Sequence, residues 1–256
     1  MTGVLMRKWS LKILITSVFA VAVLLLGPSA AWASTNYQWA GKYSSLTWNG
    51  VAGNISVDGE SVPNTSEYHI LNYVDMSNYN SNCHGFGSCW IQAGNSLGFT
   101  GASGWPHYCQ SSYVEAYVEV DDVNAYGCYG YTSGQLSLAQ TDFYTVYYDQ
   151  TCNGTLGRED AYVNNGSGWY LIGQSWIGGC GPNAIVYAQS EMAEGGTGWP
   201  TLNQYQDFGN NGGVMEQSPD GKSWQSWTSS LQQGPYSPLN ISPNPVTGAD
   251  SFLTWG

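Results

Sequence analysis

The chain has 256 residues, with 18 acidic side chains against six basic ones, a formal charge of −12, and 12 Trp and 19 Tyr. So few bases exclude a nucleic-acid partner, because a phosphate backbone is bound through basic contacts, and they disfavour anionic membranes for the same reason. A composition rich in Tyr, Trp, Gly, Asn and Ser, and poor in Lys, Glu and Leu, belongs to strands and turns and not to amphipathic helices.

In chain order, residues 1–33 read as a signal peptide. Arg7, Lys8 and Lys12 form a basic head, residues 11–26 are mostly apolar, Pro28 breaks the run, and Ala31-Trp32-Ala33 is a small-residue cleavage site. The apolar run is short for a membrane span. A secreted, extracellular protein starting near Ser34 is therefore expected. It would keep Lys42, Arg158 and Lys222 against all 18 acids, a formal charge of −15. With few ion pairs to lose in acid, such a chain suits an acidic medium.

Short alternating runs bounded by turn residues predict strands at 54–57, 69–74, 89–93, 113–120, 143–148, 158–163, 169–172 and 185–190. Asn164-Asn165-Gly166-Ser167-Gly168 reads as a hairpin turn between two of them. Many strands at this spacing predict an all-β fold, an antiparallel two-sheet β-sandwich or a barrel, over residues 34–230. Residues 231–256 hold Pro235, Pro238, Pro243 and Pro245 among Ser, Asn and Gly, and read as a C-terminal tail lying on that domain or partly disordered. Phe252-Leu-Thr-Trp255, at its end, is apolar enough to dock as an edge strand.

Six cysteines, at 83, 89, 109, 128, 152 and 180, form an even set in an exported chain, so three disulfides are expected, with fifteen possible connectivities. Cys83–Cys89 and Cys152–Cys180 are two pairs the spacing allows. Zinc is disfavoured, because the spacing is not CxxC and His69, His84 and His107 make no ligand pattern with the cysteines. Neither a metal nor another cofactor is expected.

Two segments carry candidate chemistry. Trp90-Ile91-Gln92-Ala93-Gly94 places an amide inside an apolar strand, where it costs a few kcal/mol unless paired. In 113–122 the residues part by parity: Tyr113, Glu115, Tyr117, Glu119 and Asp121 share one face, and Val114, Ala116, Val118 and Val120 share the other. The apolar face must be core, so the Tyr/Glu face lines solvent or a groove. Tyr187, Gln189 and Glu191 likewise point one way along 185–191. A carboxylate poised by a partner can act as a general base, and an amide can stabilise an oxyanion without titrating. No histidine stands in a recognisable base motif, so a Ser or Cys nucleophile is disfavoured. A glycosidase would need a second acid after Glu119-x-Asp121, and residues 123–126 contain none.

The order of these segments resembles the eqolisin-type glutamic peptidases. The resemblance rests on Trp48-Asn-Gly50, Val62-Pro63, Ile91-Gln92-Ala93-Gly94, Ala116-Tyr117-Val118-Glu119, Thr141-Asp142-Phe143-Tyr144, Val163-Asn164-Asn165-Gly166, Ser190-Glu191, Pro200-Thr-Leu202 and Asp207-Phe208-Gly209. It implies a concanavalin- or lectin-like β-sandwich that hydrolyses peptide bonds at acid pH. It also implies Gln92 and Glu191 as the catalytic pair, with Trp90, Tyr117, Glu119, Tyr187 and Gln189 lining the substrate groove. A related comparison, the neprosin-type peptidases, would pair Glu119 with Glu191. The expected partner is an extended polypeptide, and a monomer is expected. The alternative is a non-catalytic module of the same fold that binds polysaccharide or peptide on its aromatic side chains.

Overall fold

The computed structural model describes residues 36–44, 46–66, 68–79, 88–100, 109–124, 126–130, 134–154, 156–178, 184–194, 206–208, 214–217, 223–227, 231–243 and 251–256. The signal-peptide reading of 1–33, the segment 200–202, Gly209, Cys83, Cys180, His84, His107 and Lys222 lie outside them. None of the described residues is helical.

The strands are β1 (Asn36–Tyr43), β2 (Gly50–Ser56), β3 (Tyr68–Tyr79), β4 (Ser88–Thr100), β5 (Cys109–Asp121), β6 (Tyr126–Gly130), β7 (Thr141–Tyr148), β8 (Leu156–Asn164), β9 (Trp169–Gly178), β10 (Ile185–Glu194), β11 (Gln206–Phe208), β12 (Val214–Gln217), β13 (Trp224–Ser226), β14 (Leu231–Gln233), β15 (Asn240–Ser242) and β16 (Phe252–Trp255). They form two antiparallel sheets. One runs β14-β1-β10-β3-β4-β5-β6. The other runs β15-β16-β11-β2-β7-β8-β9, with the β12–β13 hairpin joined to β2. This is the expected β-sandwich, and each expected strand falls on one of its elements. The turn at 164–168 joins β8 to β9, where Asn164 pairs with Trp169.

Alternation explains the layers. On β5 the apolar set Val114, Ala116, Val118 and Val120 is buried; Ala116, Val118 and Val120 cluster with Ile91 and Ala93 of β4 and with Val146, Ala161, Val163 and Ile177 of the facing sheet, while Val114 clusters with Val57, Leu97 and Leu136. Each buried valine or isoleucine among them contributes about 1.5–3 kcal/mol. The sheets approach closely at Gly173 of β9, where a Cβ would lie 2.5 Å from a methyl of Val118. A side chain there would push the layers apart.

The expectation of a tail at 231–256 is corrected. Strand β14 pairs with β1, Gly41 opposite Gln233. Strand β16 is not an edge but lies between β15 and β11. The cause is again period-two burial: Phe252 and Thr254 turn inward and Leu253 and Trp255 are less buried, while Leu239 and Ile241 are buried beside them. Thr254 Oγ1 lies 2.5 Å from Ser190 Oγ of β10, a buried polar link between the two sheets.

A disulfide joins Cys109 at the start of β5 to Cys128 on β6. Cys89 and Cys152 are also disulfide-bonded, and no described cysteine is free.

Candidate active site

The face of the first sheet that is turned away from the core carries the polar residues. Registers align them in rows across β10, β3, β4 and β5. One row is Tyr187, Asp75, Gln92 and Glu119; the next is Gln189, Tyr73, Gly94 and Tyr117; a third is Glu191, Leu71, Ser96 and Glu115. Residues opposite one another on neighbouring strands share a face, so Gln92, Glu119, Gln189 and Glu191 all belong to one surface. Trp90 lies on it too, half-buried, and Tyr187 stacks on Tyr43 of β1 at 5.8 Å.

Gln92 Nε2 donates to Glu119 Oε2 at 2.7 Å. Burial pushes the Glu119 carboxyl well above the ordinary carboxylate range. The charge of Glu191 pushes the same way, and the Gln92 hydrogen bond only partly opposes them. In acid Glu119 is therefore a neutral carboxylic acid. Asp75, next in that row, is raised to about 8, chiefly by burial, against a hydrogen bond from Ser77 Oγ at 2.7 Å.

Glu191 sits in a different setting. Its Oε2 accepts Trp39 Nε1–H at 2.8 Å and Tyr73 O–H at 2.9 Å, and its Oε1 lies 3.3 Å from His69 Nε2. Gln189 Nε2 donates to the Tyr73 hydroxyl at 2.5 Å, which leaves the Tyr73 hydrogen free for Glu191. Two donors converging on Oε2 fit a carboxylate, which only accepts. Two buried polar atoms in the middle row, the Tyr117 hydroxyl and Gln189 Oε1, have no hydrogen-bond partner among the described residues.

The structure thus brings every candidate residue to one face, but it does not join Gln92 to Glu191. In register Glu191 is level with Leu71 and Ser96, four positions along the strands from the Gln92 row, and no hydrogen bond links the two. Sequence reasoning missed Trp39, His69, Tyr73 and Asp75. The signal for three of them was present: His69, Tyr73 and Asp75 alternate with the apolar Ile70, Val74 and Met76, much as the Tyr/Glu face of β5 does with its valines. Trp39 had no comparable signal. Among the described residues no cluster of His, Cys, Asp and Glu is arranged to hold a metal.

A separate cleft of about 570 Å³ opens on the other sheet, lined by Phe143, Tyr147, Tyr162, Trp169 and Trp224 among others. Its lining holds no carboxylate, so it offers aromatic surface without acid–base chemistry.

No protein-family model matches the chain, and no curated protein is similar to it. Among solved structures, it is similar to scytalido-glutamic peptidase with a transition-state analog inhibitor, at a TM-score of 0.53 and 11% identity, over 86% of this chain and 98% of that one. At the same identity and coverage, a second structure of that peptidase, with a peptide-based analog, gives a TM-score of 0.46. So does SCP-B, a member of the eqolisin family, in complex with the tripeptide Ala-Ile-His. At this identity the likeness is one of fold: the chain has the β-sandwich architecture of the glutamic peptidases.

Proposed function

We propose that this chain is a secreted, monomeric glutamic-type endopeptidase that hydrolyses peptide bonds of an extended polypeptide in acid. The observation that carries the reading is the division of labour on one sheet face. A buried amide is oriented by a neutral carboxyl, Gln92–Glu119, and a second carboxylate, Glu191, is held by converging donors. Unlike environments let one carboxyl stay neutral and orient the amide while the other serves as the base.

In this mechanism Glu191 takes a proton from a water, whose oxygen attacks the scissile carbonyl carbon. Charge develops on the carbonyl oxygen. The Gln92 amide has a second N–H beyond the one given to Glu119, and it donates that hydrogen to the oxyanion. The proton held by Glu191 then passes to the leaving amine as the C–N bond breaks. The unpartnered Tyr117 hydroxyl and Gln189 Oε1, in the row between Gln92 and Glu191, give the peptide or the water further hydrogen-bonding sites. The likeness of fold to scytalido-glutamic peptidase, crystallised with a transition-state analog inhibitor, supports the same reading.

The test is digestion of an unfolded protein substrate from about pH 2 to pH 7 by the wild type, Gln92→Ala and Glu191→Ala. Cleavage in acid that falls at least about 100-fold in both variants is expected. Cleavage that survives Glu191→Ala overturns the assignment. No cleavage by the wild type at any pH favours a binding module.

A further inference from the structure

His69 belongs to no motif, yet the fold buries it against Glu191. It lies on β3 with 5% of its surface exposed, opposite Gly98 of β4 and Ala193 of β10. The β4–β5 ladder slips between Ser96 and Gly98, and Gly98 takes φ of 96°, which only glycine adopts freely. Just past this irregularity, Phe99 presents its carbonyl oxygen 2.7 Å from His69 Nδ1.

Hydrogen accounting then fixes the ring. A carbonyl can only accept, so Nδ1 carries a hydrogen. Nε2 faces Glu191 Oε1 at 3.3 Å. A neutral ring would present a bare Nε2, and Glu191 would then have to be the acid that donates. A base that must accept a proton from water, and that already receives Trp39 N–H and Tyr73 O–H, is matched only by a second ring hydrogen. Among the described residues, the neighbouring groups do not supply an alternative cation. Asp75 of β3 and Glu119 of β5 are pushed toward their neutral forms, chiefly by burial, and the Tyr73 and Tyr117 phenols are held neutral by the same effect. Lys42 turns to the ring of Trp227, at 4.8 Å, and Arg158 lies on β8 of the other sheet.

We propose that His69 is the positioning residue of the site: as an imidazolium tethered to the Phe99 carbonyl, it fixes Glu191 Oε1 and keeps Glu191 the acceptor at the working pH. The inference rests on Glu191 being the general base. It adds a residue outside the Gln/Glu pair and gives that residue a defined protonation state.

The test has a spectroscopic arm that does not require activity. With the imidazole labelled with nitrogen-15, NMR of the wild type at about pH 4 is expected to show both ring nitrogens of His69 protonated. In Glu191→Gln at the same pH the Nε2 signal is expected to move while that of Nδ1 stays. One bare ring nitrogen in the wild type, or an Nε2 signal indifferent to Glu191→Gln, overturns the proposal. In the kinetic arm His69→Phe is expected to lower kcat about tenfold or more with KM nearly unchanged, and His69→Gln, which restores an N–H donor, to recover part of the loss. A variant that folds and loses only thermal stability, with kcat intact, also overturns it. If the wild type cleaves nothing, the peptidase reading fails, and the NMR arm still decides the state of His69.

Discussion

Gln92 and Glu119 stand opposite each other on β4 and β5, and the amide nitrogen of one is 2.7 Å from a carboxyl oxygen of the other. Both are nearly buried, at 7% and 5% exposure. This contact accounts for an amide in an apolar strand: the desolvation cost of a few kcal/mol is offset by a partner that is itself buried. In this contact the amide nitrogen faces the Glu119 carboxyl. The partner is not Glu191, which is held by Trp39, Tyr73 and His69.

Glu119 serves here as a neutral acceptor, so Glu119→Gln should be mild. The new amide offers an oxygen where the carboxyl offered Oε2, and acid activity should stay within about tenfold of wild type. Glu119→Ala leaves the Gln92 N–H unpaired in a buried site, at a cost of about 1–3 kcal/mol. Urea unfolding and peptidase assays at acid pH compare the two. Equal, near-complete loss in both variants would show that Glu119 must ionise.

The donors on Glu191 give a second prediction. Trp39→Phe removes one N–H and keeps an aromatic ring; Tyr73→Phe removes the hydroxyl that links Gln189 to Glu191. A hydrogen bond to a charged group is worth about 1.5–3 kcal/mol, which corresponds to about 10- to 100-fold in rate if it orients the base. Each variant should therefore lose kcat more than it raises KM in steady-state assays. Wild-type kcat in Trp39→Phe would remove Trp39 from the site.

The face was legible in the sequence wherever alternation ran unbroken. The Tyr/Glu set of 113–121 and the Tyr187, Gln189, Glu191 set were assigned to their faces by parity alone, and the registers put them on one surface. What parity does not encode is register along the strands. Gln92 and Glu191 both point outward, yet four positions separate their rows, so their neighbours had to come from pairing between β3, β4 and β10. The C-terminal segment misled for a different reason. Its prolines and polar residues dominate the composition, while the few apolar residues that bury it, Leu239, Ile241 and Phe252, act through a sheet assembled from distant strands. Trp39 could not be found locally, since its partner lies 152 residues away.

The Cys109–Cys128 bridge closes a loop of 19 residues in sequence separation and staples β5, which carries Glu119, to β6. Constraining a loop of that size in the unfolded chain is worth about 3 kcal/mol. The double variant Cys109→Ala, Cys128→Ala should show a clearly lower urea midpoint at acid pH, with acid activity kept at temperatures where it remains folded. An unchanged midpoint would mean that the sandwich holds this hairpin without the bridge.

The buried acids predict how stability depends on pH. Asp75 is raised to about 8, and Glu119 and Glu159 are pushed well up, each chiefly by burial. Glu159 accepts Asn78 Nδ2 at 2.5 Å, tying β8 to β3 between the two sheets, so it sits in the core and not at the site. In all three the folded carboxyl holds its proton at a pH where the unfolded one, titrating near about 4, has released it. The folded state therefore binds more protons between those values, and stability falls as pH rises. The contribution is complete below about pH 4 and is lost through the folded values, near 8 for Asp75. Thermal unfolding followed by circular dichroism should give its highest Tm at about pH 3–4 and a Tm lower by many degrees near pH 8. Asp75→Asn, which cannot ionise, should flatten that slope without removing it, because Glu119 and Glu159 still contribute. A Tm that peaks near neutrality would mean that these carboxyls are not buried as the sandwich places them.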